Sequence, residues 1–388
     1  MLTLLGLVVA AGGVAARYLP IDAMPDVSTV QVSVLTTAAG LSPVEVERSV
    51  TLPVENALNG VPSGVELRSV SRAGLSTVTV VFDDDTDVWF ARQLVLERLR
   101  AVELPPGAST PELAPVSSGL GEIFQFVLRS DQHDAMQLRT LLDWEVVPRL
   151  RRVPGVVEVN TMGGELKQYQ ILLDRTRLQS HGLTVRQVVE ALRAANLSVG
   201  GGYLERGPES FVIRGQGLLG DSGEIEDVVI LTHADGTPVL VRNVAEVQIE
   251  AALRYGVITR DGEGEAVTGI VMMLLGENSR EVVSAVGREV RALDEVLPPG
   301  VEVDVVYDRA DFVGRTIATV LKNLAEGVVV VLIVLALFLG TLRGALAVVL
   351  GIPASMSIAL FGMHLFGVTG DLMSLGAIDF GFLVDGPI

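Results

Sequence analysis

Between Gly344 and Gly370 this chain carries no Asp, Glu, Lys or Arg. Just before that stretch, Gly327 to Leu342 reads GVVVVLIVLALFLGTL, also without charge. A helix rises about 1.5 Å per residue, so about 20 apolar residues cross the hydrocarbon of a bilayer. The later run is long enough by itself. The earlier one reaches that length when it borrows residues from Leu321 onward. Two membrane helices are therefore expected, at 321–342 and 344–366, with Gly340 to Gly344 as a tight loop. Its single charge, Arg343, puts the loop in the cytoplasm by the positive-inside rule. Counting crossings from there, the region before Leu321 lies outside the cytoplasm. Residues 1–16, MLTLLGLVVAAGGVAA, are uncharged too. A secretory signal competes for them, but the basic n-region is missing, so they are read as a first, partial membrane helix. A further apolar segment, 371–388, holds LMSLGAIDFGFLVDGPI and is read as a fourth helix that the chain end truncates.

Charge and composition narrow the function. The net charge is −18, from 29 Lys and Arg against 47 Asp and Glu. An acidic chain repels phosphate backbones, so nucleic acid is not an expected partner. There is no cysteine, which excludes disulfides and thiolate metal sites. The four histidines, His133, His181, His233 and His364, do not form the HExxH spacing of a zinc enzyme. No nucleophile–base constellation is visible and no cofactor is expected, so an enzyme is the least expected class.

Residues 17 to 320 read as a folded, water-exposed region in which strands alternate with amphipathic helices. Val30 to Thr36 alternates with period two, and STVTVVF within residues 69–82 is strongly β-branched. Ser42-Pro43 opens a helix to Leu58 as N-cap and first-turn proline. Residues 87–102 place Val88, Ala91, Leu94, Val95 and Leu99 on one helical face. Two motifs occur twice: Val61-Pro-Ser-Gly with Val153-Pro-Gly, and Leu104-Pro-Pro-Gly with Leu297-Pro-Pro-Gly. A duplicated βαββαβ unit would produce such echoes, and so would common turn chemistry. Between about residues 163 and 250 the texture changes. A helix from Thr184 to Asn196 precedes Gly200-Gly-Gly, and Asp235-Gly236 signals a hairpin, as in a separate or inserted subdomain.

Asp379 and Asp385 are the sharpest chemical signal. A carboxylate in a membrane helix costs at least about 2.5 kcal/mol on insertion scales and marks function by default. Low dielectric raises its pKa and makes a neutral form accessible, as a proton relay requires. Six residues apart, the two acids stand about 9 Å apart along a helix and about 120° around it, on one seam. Gly376, Gly381 and Gly386 leave room for close helix packing. The alternative is a segment outside the membrane with two surface aspartates. An intramembrane aspartyl protease needs Gly-x-Gly-Asp, and Val368-Thr369 before Gly370-Asp371 break that pattern.

PIDAMPDVSTVQV from Pro20, SPVEVE from Ser42, SRAGLSTVTVVF from Ser71, the DVWFARQLV helix, SSGLGEIF from Ser117 and LMSLGAIDFGFLVDG from Leu372 resemble the heavy-metal efflux branch of the resistance-nodulation-division superfamily, of the CzcA/CusA type. The likeness runs over essentially the whole chain. It implies membrane α-helices plus a large α+β periplasmic region, with repeated ferredoxin-like βαβ pore subdomains at 17–110 and at 111–162 with 251–320, and a docking subdomain inserted at 163–250. It also implies a homotrimeric inner-membrane cation/proton antiporter working with a periplasmic adaptor (membrane fusion) protein and an outer-membrane channel. Protons moving inward through the lipid-embedded helices would drive export. The family's relay acids fall on Asp379 and Asp385. A third acid expected seven residues after Asp385 lies past Ile388, and the family's second half is expected to hold most of the metal path, so the chain as given is expected to be an incomplete transporter.

Ile378-Asp379-Phe380 resembles the branch that exports divalent zinc, cobalt, cadmium or nickel, which favour carboxylate and imidazole over thioether. The methionines read as core or membrane filler, so copper or silver is the less favoured cargo. The metal ligands are unknown from the sequence. Glu122 is a weak candidate, with a plain surface carboxylate as the competing reading. Asp83-Asp84-Asp85 with Asp87 reads as a solvated turn, because no ligand spacing supports a cage. Two other functions stay open: export of organic amphiphiles, which the 5% aromatic content disfavours, and a truncated, membrane-anchored scaffold that transports nothing.

Overall fold

The computed structural model describes residues 6, 9–15, 21–22, 27–207, 209–215, 217–254, 256–262, 264–366 and 370–371. They divide into two compact units. One comprises Met1–Leu128, Trp144–Met162 and Thr268–Ile388; the other comprises Arg129–Asp143 and Gly163–Val267.

The first unit begins with β1 (Gln31–Thr37), followed by a helix, α1, over residues 43–58. Ser42 caps it in a box: its backbone N–H donates to Glu45 Oε2 at 2.8 Å, and Pro43 occupies the first turn. β2 (Gly64–Arg72) and β3 (Leu75–Phe82) form an antiparallel hairpin. Residues 69–82, which hold the β-branched run, do not form one strand. The chain instead reverses at Ala73-Gly74, where Gly74 has φ +71°, a conformation a side chain disfavours. α2 (Val88–Leu99) starts where Asp87 accepts a 2.8 Å hydrogen bond from the Phe90 N–H, and Ala91, Val95 and Leu99 are its buried face. The acidic run before it is an exposed turn. β4 (Glu112–Leu113) closes a sheet ordered β2-β3-β1-β4, with every neighbouring pair antiparallel. Val34, Val54, Leu58, Val80, Phe82 and Val95 pack into its core.

The pattern then repeats. β5 (Glu122–Arg129), α3 (residues 135–150) and β6 (Val156–Gly163) precede residues 167–251. β13 (Val267–Met273), α8 (Ser279–Ala292) and β14 (Glu302–Asp308) follow them. Their sheet has the order β14-β5-β13-β6, the same neighbour order when strands are counted within each set. Both sequence echoes sit at matching places. The Val-Pro motifs precede the second strand, β2 or β6, and the Leu-Pro-Pro-Gly motifs precede the last, β4 or β14. A third echo emerges from the backbone. α1 and α3 each contain a π turn, Glu47–Thr51 and Leu142–Val146, and each has a proline two residues after it, Pro53 and Pro148. A proline lacks the N–H for the i→i−4 bond, and a widened turn accommodates the loss.

In the second unit β7 (Lys167–Leu173) pairs antiparallel with β12 (Ala245–Ala251). Between them run α4 (Arg175–Ser180), α5 (Val185–Ala195), β8 (Val199–Arg206), β9 (Glu209–Gly215), α6 (Ser222–Glu226), β10 (Val229–Thr232), β11 (Pro238–Leu240) and α7 (Val241–Val244). β10 and β11 are the hairpin that Asp235-Gly236 signalled. β8 and β9 form a separate hairpin, and every residue of β8 is exposed.

A single helix, α9 (Arg309–Leu339), runs 31 residues and stops at Gly340 in the left-handed conformation. It starts twelve residues before the boundary the sequence suggested. Asp308 caps it by accepting a 3.0 Å bond from the Asp311 N–H, and the polar first turns carry no apolar signal. α10 (Leu342–Val349) and α11 (Gly351–Leu365) follow.

Candidate functional site

Asp379 and Asp385 lie outside the described residues. Their approach is described. Gly370–Asp371 pairs in parallel with Ile21–Asp22, in the register Ile21 to Gly370 and Asp22 to Asp371. The chain that leads into the acidic segment thus runs beside the chain that leaves the N-terminal helix, residues 9–15. That helix meets α11 where Gly12 faces Ser357 with no room for a Cβ. A small residue at such a crossing lets two backbones approach, as in membrane helix pairs.

Two helical stretches, Arg309–Phe338 and Leu342–Leu365, are long and apolar enough to cross a membrane. Val330, Leu337 and Phe338 on α9 turn their side chains outward, Phe338 with 87% of its surface exposed. A face of that kind has no favourable place in water, whereas hydrocarbon accepts it. Thr341, between the stretches, and Arg343, in the first turn of α10, are exposed.

Glu122 opens β5 as an exposed carboxylate and accepts a hydrogen bond from Gln125 Nε2 at 3.1 Å. Among the described residues no group of three or more His, Cys, Asp or Glu could hold a metal ion. Glu122 therefore belongs to no such group among the described residues. Elsewhere the shifted carboxylates are structural caps. The backbone N–H of Ser42 holds Glu45 below the usual carboxylate range, and those of Arg177 and Thr176 do the same for Asp174. Of the histidines, His133 takes a 3.0 Å hydrogen bond with Ser130 Oγ. His181 and His233 stand next to each other, their ring centres 6.4 Å apart. They lie 52 positions apart in the chain, so no local spacing in the sequence announces the pair.

Residues 1–388 match the model of a family described as AcrB/AcrD/AcrF. Protein HelA of Legionella pneumophila is 46% identical over 381 residues, covering 96% of this chain and 36% of the relative. The cobalt-zinc-cadmium resistance protein CzcA of Cupriavidus metallidurans is 44% identical, covering 95% and 36%. The cation efflux system protein CusA of Escherichia coli (strain K12) is 39% identical, also covering 95% and 36%. A crystal structure of a heavy metal efflux pump superposes with a TM-score of 0.91 at 37% identity, over 99% of this chain and 39% of that one. The chain thus spans little more than a third of the length of these relatives.

Proposed function

We propose, from the premise that the chain belongs to the AcrB/AcrD/AcrF family, that it is part of a proton-driven pump that exports heavy-metal cations across the cell envelope. The observation that carries the reading is the apolar segment 372–388, which keeps two carboxylates, in a chain whose metal-resistance relatives match it over 95% of its length. Asp379 and Asp385 are the relay. Each takes a proton where the segment opens to water on one side and releases it on the other. The charge change is what a conformational cycle can be coupled to, because a bare carboxylate is costly in hydrocarbon and a protonated one far less so.

The two βαββαβ sets are the pore subdomains of the assembly, with ferredoxin-like topology, and residues 163–250 are its docking subdomain. The strand order common to both sheets supports this reading. The pump is a homotrimer in the inner membrane, with an adaptor protein and an outer-membrane channel as partners. The β8–β9 hairpin favours self-association: Tyr203, Phe211 and Val212 are exposed along it, and a second copy is the partner that would cover them. Glu122 is the candidate on the metal path, one ligand of a set that the rest of the pump must supply.

Divalent cargo is favoured over copper or silver, since Asp379 follows Ile378 in the pattern of the divalent branch and carboxylates suit borderline divalent ions. The test is to complete the reading frame, reconstitute the protein in vesicles and record proton flux on adding zinc, cobalt, nickel or reduced copper. Metal-dependent flux that vanishes in Asp385→Asn supports antiport. Flux with reduced copper alone moves the cargo to the monovalent class. Drug-dependent flux without any metal response supports export of amphiphiles. No flux with any of them leaves a scaffold.

A further inference from the structure

We infer that His181 and His233 form a binding site for a single borderline divalent cation on the surface of the second unit.

The geometry suits a shared ion. A cation of this class sits about 2.0 to 2.1 Å from an imidazole nitrogen, which places it about 3.2 Å from the ring centre. Two imidazoles on one ion therefore have centres between about 5 and 6.4 Å apart, from a bent to a linear arrangement. The observed separation is 6.4 Å, with the rings inclined by 35°. His233 is exposed and His181 half-buried, so a small χ rotation of His233 closes the pair while water fills the remaining positions. Neither ring makes a hydrogen bond among the described residues, whereas His133 is engaged by Ser130. Both imidazoles are free to present a lone pair.

The backbone under each ring is fixed. His181 is the C-cap of α4, its N–H bonded to Arg177 O at 3.2 Å, and Gly182 follows at φ +65°. His233 starts the β10–β11 turn, its N–H bonded to Thr237 O at 2.9 Å. Leu178 and Leu183 flank the first histidine, Ile230 and Val239 flank the second, and all four belong to one apolar cluster. Two ligands on separate elements are thus held by a common core, and less ordering entropy is lost on binding than in a flexible loop. The charge is also favourable. Asp235, two residues after His233, accepts a 2.9 Å bond from the Thr237 N–H. A divalent cation gains from it as an outer-sphere neighbour.

The experiment is electron paramagnetic resonance of Cu²⁺ added alone to the purified full chain in detergent, with Zn²⁺ as competitor. Wild type is expected to bind one Cu²⁺ at micromolar concentration, with superhyperfine splitting from two imidazole nitrogens, and Zn²⁺ is expected to displace it. His233→Gln, on the surface, is expected to leave a one-nitrogen spectrum and weaken binding at least about tenfold, and His181→Gln to do the same. A His133→Gln control is expected to change neither. An unchanged spectrum in His233→Gln, loss of the signal in His133→Gln, or no binding below millimolar Cu²⁺ overturns the site. The readout uses no transport, so it stands or falls separately from the pump reading.

Discussion

The ring of Phe126 on β5 lies over the backbone of Gly269 on the neighbouring strand β13, where a Cβ would overlap three ring atoms. Phe126 is fully buried. A glycine inside a central strand weakens it, and here the reason is close approach by the aromatic ring. Gly269→Ala must push the ring or bend the strand, at a cost of about 1 to 3 kcal/mol, as overpacked cores show. Denaturant unfolding of the detergent-solubilised chain should show the lower midpoint. Pairing it with Phe126→Leu should recover part of the loss, because the smaller side chain vacates the space. Equal midpoints for wild type and Gly269→Ala would mean that the ring moves freely.

A second test concerns a buried polar contact between α1 and the first sheet. Thr51, in the π turn of α1, lies 2.8 Å from both Ser71 Oγ and Ser76 Oγ. Thr51 and Ser76 are each 1% exposed. Thr51→Val keeps the shape and strands the Ser76 hydroxyl without its partner, so a loss of about 1 to 3 kcal/mol is expected. Adding Ser76→Ala removes the stranded group. The double variant should then lose less than the sum of the two single ones, a non-additivity that a thermodynamic cycle measures.

Much of this was legible in the sequence where the cause is local. Ser42-Pro43, Asp87 and Asp235-Gly236 act on the backbone within a few residues, so the helix and hairpin boundaries they mark were readable. Gly74 was hidden by the β-branched run that follows it. The start of α9 at Arg309 has little signal in the sequence, because its first turns are polar and only Asp308 announces them. The sheet orders join strands far apart in the chain, and no local residue pattern encodes such a pairing. The echoed motifs could suggest repetition without giving the order. The segment with Asp379 and Asp385 was conspicuous from charge alone, since carboxylates are so costly among apolar residues. The pairing of His181 with His233 depends on how α4 and the β10–β11 turn pack, which the sequence does not display.

The acid side of the stability profile follows from the caps. Glu45, Asp174 and Asp235 are each held below their ordinary values of 4.5, 3.8 and 3.8, in each case chiefly by a backbone N–H hydrogen bond. A carboxyl with a depressed folded value contributes stability that is fully present above its unfolded value. That contribution is lost as pH falls through the lower folded value. The melting temperature should therefore be flat above about pH 5 and fall progressively towards pH 3 and below. Asp174→Asn still offers an oxygen to the Thr176 and Arg177 N–H groups but cannot titrate. Its melting curve should start lower at neutral pH, where the charged cap is strongest, and slope less below pH 4. A slope identical to wild type would assign the acid loss to other groups.

The orientation proposed for the two long apolar stretches can be tested chemically, because this chain contains no cysteine and an introduced one is its sole thiol. Thr341 sits in the exposed turn after α9, beside Arg343, and Glu302 is an exposed position on β14. If Arg343 keeps its turn in the cytoplasm, a membrane-impermeant maleimide added to intact spheroplasts should label Glu302→Cys and spare Thr341→Cys. Permeabilising the membrane should then expose residue 341. α9 runs unbroken from Arg309 to Leu339, so the two positions cannot lie on one side unless the helix fails to cross. Labelling of both without permeabilisation would mean that α9 lies on the surface. The proton path proposed through Asp379 and Asp385 would then have no membrane to span. Labelling of Thr341→Cys alone would invert the orientation, place β14 and the two βαββαβ sets in the cytoplasm, and remove the periplasmic partners from the proposed assembly.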